Sequence, residues 1–167
     1  MCGIVGYIGK QAAAPVILEG LSKLEYRGYD SAGMAVYDGE RIQVRKSVGR
    51  LKVLEELTHG GATMPGNIGI GHTRWATHGA PSDANSHPHY NAEETIAVVH
   101  NGIIENYLPL KEKMISKGYR FVSDTDTEVL AHLLDYYYNG NPLEAITKVM
   151  HRVQGSYALG ILFADHP

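Results

Sequence analysis

Two strand-like runs, Ala32 to Tyr37 and Arg41 to Val48, flank the dipeptide Asp38-Gly39. Asp-Gly between such runs is a hairpin signal, because glycine takes the positive φ of a tight return and aspartate tolerates it. The two runs are therefore expected as antiparallel neighbours. The rest of the chain alternates strands and helices without a repeat. Cys2 to Ile8 reads as a strand, and Gln11 to Tyr26 as a helix with Ile17, Leu21 and Leu24 on one face. Leu51, Leu54 and Leu57 suggest a short helix, and further strands run from Ile68 to Trp75 and from Thr95 to His100. Between them lies the longest irregular segment, Thr77 to Asn91.

The last third continues the mixture. A helix over 107–117 closes at Gly118, Tyr119 to Ser123 reads as a short strand, and Thr125 with Glu128 has capping-box spacing ahead of a helix to Asn139. Asn141-Pro142 opens another helix, with Leu143, Ile146, Met150 and Val153 as its expected buried stripe. Ser156 to Ala164 is a final strand without a visible partner. Hairpin strands interleaved with helices indicate an α+β layered fold, not a doubly wound nucleotide-binding sheet. No G-x-G-x-x-G follows a strand and no phosphate-loop motif occurs.

Composition narrows the function classes. With 167 residues, 44% hydrophobic and 20% charged, the chain can bury one sizeable core, and one domain is expected. A net charge of -3 without a dense Lys/Arg run gives no footprint for nucleic acid or an anionic membrane. No run reaches the roughly 18 apolar residues of a membrane span, and the N-terminus lacks signal-peptide character. The single cysteine cannot form an internal disulfide, which fits a reducing cytoplasm.

That cysteine is Cys2, in Met1-Cys2-Gly3-Ile4-Val5-Gly6. Removal of Met1 would place a thiol and an α-amine of pKa roughly 7.8 on one residue, a nucleophile with its own base. A buried structural cysteine is the simpler reading of the position alone. The chemistry also needs oxyanion donors, and Asn101 and Gly102 stand where the strand ending at His100 stops, although from spacing alone an Asn-Gly turn is the better reading of the dipeptide. A substrate with an α-amino acid head needs a carboxylate fork and an ammonium partner. Arg74 and Asp126 could supply those groups, while taken singly Arg74 is better read as a surface ion pair and Asp126 as a helix cap. The histidines His72, His78, His87, His89 and His100 lack zinc-site spacing, so no metal is expected; His87-Pro88-His89 would shape the loop and His78 help close it.

Five blocks in order, Cys2 to Gly6, Glu25 to Gly33, His72 to Gly79, His100 to Asn106 and Thr125 to Glu128, resemble the amino-terminal glutaminase domains of glutamine:fructose-6-phosphate aminotransferases. These belong to the class II, N-terminal-nucleophile glutamine amidotransferases. The resemblance implies a four-layer αββα sandwich, a glutaminase domain over 1–167 whose C-terminal part and sugar-isomerase domains are absent, and an exposed edge on the last strand. It implies Cys2 as nucleophile, Asn101 and Gly102 as oxyanion hole, and Arg74 and Asp126 as grips on L-glutamine. Trp75, Thr77 and His78 would contribute to binding or closure of a loop over Arg74 to Pro81, and Arg27 would organise the site. No cofactor or metal is implied. The partners would be glutamine and the sugar-isomerase half of a homodimeric, cytoplasmic enzyme that makes glucosamine 6-phosphate. The alternatives are another acceptor and a silent glutamine-binding fragment.

Overall fold

A computed structural model of the chain describes residues 2–76 and 79–167, with Arg27 described by its backbone alone. Two antiparallel sheets stack face to face between helices. The first has the order β1-β4-β2-β3, from Gly3–Ile8, Ile68–Arg74, Ser31–Tyr37 and Ile42–Val48; the second is β5-β6-β7, from His89–Tyr90, Ile96–Gly102 and Tyr157–Phe163. The helices α1 (Ala13–Ser22) and α2 (Leu51–Leu57) cover the outer face of the first sheet, and α3 (Tyr107–Ser116), α4 (Glu128–Tyr137) and α5 (Pro142–Met150) cover the second. This is the αββα layering that the family resemblance implies.

The expected hairpin joins β2 to β3 through residues 38–41. Tyr37 pairs with Ile42, and Asp38 Oδ1 accepts from the N–H groups of Glu40 and Arg41, both at 2.9 Å, while Gly39 takes φ +106°. Side-chain alternation divides the core into layers. On β4, a Cβ on Gly69 or Gly71 would lie 2.8 or 2.3 Å from Ile17, so these glycines let α1 sit against the sheet. The alternate residue Ile70 faces the second sheet, where it packs with Ala35, Ile42, Ala97, Val99 and Leu162. The outer layer of the second sheet is built from Ile96, Val98, Leu130, Leu133 and Leu134.

Several local expectations give way to tertiary bonds. The helix expected to Tyr26 ends at Ser22, because the Leu24 N–H reaches only to Leu21 O and Glu25–Arg27 forms one 3-10 turn. Tyr119 to Ser123 joins no sheet: the N–H groups of Val122 and Ser123 donate to the Glu128 carboxylate at 2.9 and 2.7 Å. That also undoes the capping box, since the Glu128 side chain turns to 122–123 and Thr125 Oγ1 meets His89 Nε2 at 3.0 Å. On α5, Ala145 and Val149 are the buried residues, while Leu143 and Met150 are exposed. Of the expected stripe, Val153 is buried after the helix and Ile146 packs against the same core, while Ala145 and Val149 take the most buried positions. Finally, β7 pairs along its whole length with β6, Ile96 opposite Phe163 to Gly102 opposite Tyr157, and forms the outer strand of its sheet.

Gly33 marks a close approach between the first sheet and the segment before β5, since an added Cβ would stand 2.1 Å from the His87 carbonyl oxygen. Gly33→Ala is expected to cost roughly 2 kcal/mol or more through overpacking against backbone. Gly6→Ala, with nothing within 4 Å of its new methyl, should stay within about 0.5 kcal/mol of the parent. Thermal melting of the two variants checks this, and equal melting temperatures would contradict the packing.

Candidate active site

The strand alternation that buries Ile4, Ile70 and Val99 between the sheets carries Cys2, His72, Arg74 and Asn101 onto the same inner faces. They meet at one end of the layer, around a cleft of about 500 Å³ lined by Cys2, Arg74, Trp75, Asn101, Gly102 and Asp126, with further walls from His87, His100, Glu105 and Ser156. The sequence candidates Cys2, Asn101, Gly102, Arg74, Trp75 and Asp126 are thus brought together. Thr77 and His78 lie outside the described residues, as does the side chain of Arg27.

Cys2 is partly exposed. The Trp75 N–H donates to its Sγ at 3.2 Å, which fixes the sulfur at the end of β4. Asn101 and Gly102 do not form a turn: they are the last two residues of β6, opposite Ala158 and Tyr157. Gly102 takes φ +129°, and a Cβ there would lie 2.1 Å from Ser156 O. The Asn101 amide is held at both ends, with Oδ1 2.8 Å from His72 Nε2 and Nδ2 donating toward Cys2 O at 3.5 Å. If Oδ1 accepts, His72 carries its proton on Nε2, and the donor end of the amide faces the cysteine.

Arg74 is only 4% exposed, so it is not a surface ion pair. One Nη donates to Gly79 O at 3.1 Å and the other lies 3.7 Å from Asp30 Oδ1. Asp30 also accepts from Ala76 N–H and from Ser31 Oγ, and its own N–H donates to Arg74 O at 2.7 Å. Asp126 is not the cap of α4, which begins after Thr127; its Oδ2 accepts from Ile104 N–H at 2.8 Å, tying it to the segment after β6. Both charged groups are nearly buried yet border the cleft, a setting in which a bound group of opposite charge meets little competing water.

Four imidazoles cluster beside the cleft, and two of them, His87 and His100, line it. His72 stacks on His87 with centroids 4.1 Å apart, His87 meets His89 edge-on at 4.9 Å, and His100 Nδ1 lies 2.8 Å from Thr127 Oγ1. Burial holds all four below the ordinary histidine value, His72 at about 4, so at neutral pH they are uncharged. They pack as neutral rings and hydrogen-bonding groups beside Arg74.

Sequence reasoning missed Asp30, which stands inside a quoted block but carries no spacing signal toward Arg74. It also missed Ser156, which reaches the cleft only through the β6–β7 register. Thr125 and Thr127 were more accessible, since they flank Asp126 in the chain.

A family model described as the glutamine amidotransferase domain matches residues 72–166. Over all 167 residues the chain is 63% identical to the glutamine-fructose-6-phosphate aminotransferase (isomerizing) of Caldanaerobacter subterraneus subsp. tengcongensis, and 62% identical to the protein of that name from Clostridium tetani. It spans 27% of the length of each. Among solved structures it is similar to the glutamine phosphoribosylpyrophosphate amidotransferase from B. subtilis complexed with ADP and GMP, with TM-score 0.84 and 28% identity over 98% of this chain and 35% of that one.

A free histidine titrates near 6.5 and folded His72 at about 4, so between these values the unfolded chain binds the extra proton. Stability from this group is complete above pH 6.5 and is lost as pH falls toward 4, by roughly 3 kcal/mol. Thermal unfolding across that range should show the loss, and His72→Gln, which keeps a donor for Asn101, should make the profile shallower. A profile equally steep in the variant would contradict a neutral His72.

Proposed function

Since the chain belongs to the family of glutamine amidotransferase domains, we propose that it hydrolyses the side-chain amide of glutamine to glutamate and ammonia through a thioester on Cys2. The observation that supports this most is the convergence on one cleft of a thiol, an amide donor, a guanidinium and a carboxylate from four separate parts of the chain. Arg74 takes the α-carboxylate in a charge-assisted fork and Asp126 the α-ammonium, which leaves the side-chain amide directed at Cys2. With Met1 removed, the free α-amine accepts the thiol proton. The thiolate then attacks the amide carbon, and the C=O electrons move onto oxygen, where Asn101 Nδ2 and the Gly102 N–H receive the charge. Collapse of this intermediate breaks the C–N bond, and the protonated amine delivers its proton to the leaving nitrogen as ammonia departs. Water, deprotonated by the same amine, opens the thioester to glutamate and restores the thiol. The Trp75 backbone borders the sulfur, and by resemblance to the family Trp75, Thr77 and His78 would contribute to binding or closure and Arg27 to organising the site.

The acceptor follows from relatedness. Identity of 63% over these 167 residues to a glutamine-fructose-6-phosphate aminotransferase, against 28% to a phosphoribosylpyrophosphate enzyme, supports fructose 6-phosphate as the acceptor. The ammonia would be used by sugar-isomerase domains in a protein of the relatives' length, since this chain spans 27% of theirs.

Ammonia release from glutamine, measured on chain shown by mass to lack Met1, tests the reading. Cys2→Ala should abolish turnover. Asn101→Ala should lower kcat on the order of 100-fold with little change in KM, because the oxyanion exists only along the reaction path. Turnover by Cys2→Ala at the parent rate would refute the thioester route.

A further inference from the structure

Arg74 and Asp126 come from separate parts of the fold and are more than fifty residues apart, yet a grip on both ends of one small head group requires a fixed spacing between them. Neither sheet sets that spacing, because Arg74 ends β4 in the first sheet and Asp126 lies in the irregular segment before α4. The connection runs through Asn85. Its side chain is 3% exposed; Nδ2 donates to Ala80 O at 2.8 Å and Oδ1 accepts from the Asp124 N–H at 2.9 Å. Ala80 follows Gly79, whose carbonyl accepts from Arg74, and Asp124 stands two residues before Asp126. Contact on this side is tight: a Cβ on Gly79 would fall 2.6 Å from Asn85 Nδ2.

Asn85 is itself held firmly. Its N–H donates to Ser82 Oγ at 3.1 Å, and Ser86 Oγ donates to Ser82 O at 2.8 Å. On either side of it, Lys46 of β3 donates to Ala84 O, Ser86 O and Pro88 O at 3.3, 3.0 and 3.4 Å. The bridge is therefore mounted on the first sheet. One amide reads the position of the backbone behind each grip, and it uses its donor for one and its acceptor for the other, a combination no single-function side chain reproduces.

We propose that Asn85 is a positioning residue that sets the separation of Arg74 and Asp126, and with it the selectivity of the cleft for an α-amino acid head over molecules carrying only one of its two charges. Asn85 touches no substrate and acts through the two backbone segments. The inference rests on the proposed glutamine site.

Asn85→Asp keeps the acceptor for Asp124 N–H and opposes a carboxylate to Ala80 O, so it breaks one arm of the bridge at constant shape. Turnover is measured with glutamine and with the monoamide of glutaric acid, which has the carboxylate and lacks the α-amine. The expected result is a KM for glutamine raised about tenfold, the scale of one hydrogen bond, with kcat within about twofold and kcat/KM for the monoamide unchanged. The preference for glutamine then falls by the same factor. KM does not depend on the fraction of chain that is folded, and Asn85→Ser, which loses both arms, gives the same comparison if the aspartate variant does not fold. Asn91→Ala is the matched control: Asn91 is equally buried and bonds Thr95, Ile96 and Asp135 away from the cleft, so it should lower the melting temperature and leave the preference intact. Equal losses for both substrates, or an unchanged preference in both Asn85 variants, would overturn the inference while leaving the glutamine site standing. A parent chain that does not prefer glutamine over the monoamide would overturn the site itself, and the inference with it.

Discussion

Ile4, Ile70 and Val99 pack between the two sheets, and the next inward-facing positions along the same strands are Cys2, His72 and Asn101. The period of two that defines a strand therefore turns an apolar layer into a polar cleft within one step. Everything at the site depends on that register. A slip by one residue in β4 would send His72 and Arg74 toward α1 and bring Gly71 and Thr73 inward. The glycines opposite Ile17 guard against it, because only Gly69 and Gly71 leave room for the helix on that face.

Burial then determines the electrostatics. The buried imidazoles stay neutral, so His72 Nε2 donates to Asn101 if the amide oxygen is the atom that faces it, and extra positive charge is kept away from Arg74. The groups that remain charged have partners. Asp30 faces Arg74, three carbonyls surround the Lys46 ammonium, and Glu128 collects two backbone N–H groups and the Ser123 hydroxyl. For Glu128, burial acts to raise the pKa, but His132 and the bonds from Val122 and Ser123 outweigh it and hold the carboxyl at about 2. These buried polar contacts lie mainly around 79–91 and 122–128, the two segments that carry no long strand of their own and still flank the cleft.

How much of this the sequence discloses depends on how local its cause is. The β2–β3 hairpin was legible because the turn chemistry of Asp38 and Gly39 is contained in adjacent residues, and the layered α+β class followed from it. The strand expected at Tyr119 to Ser123 failed because its amides are taken by Glu128, a helical residue that the local pattern assigned to a capping box. The stripe on α5 was half right: Ile146 and Val153 meet the core, while Ala145, too small to register as core by hydrophobicity, is buried where Leu143 is exposed. At the site, Cys2, Asn101, Gly102, Arg74 and Asp126 were singled out by chemical type and by resemblance, and the structure gathers them around one cleft. Asp30, Asn85 and Ser156 were not, since each reaches the cleft or its grips through a contact between segments that no spacing in the chain announces.

The central claim is that Cys2 is an activated nucleophile facing a glutamine pocket. An intact-mass spectrum after incubation with 6-diazo-5-oxonorleucine, a reactive glutamine analogue, tests it most directly. The account predicts a species that lacks Met1 and carries one adduct, absent from Cys2→Ala and suppressed by excess glutamine. A chain that has lost Met1 and remains unmodified, or that is modified equally in Cys2→Ala, would contradict it.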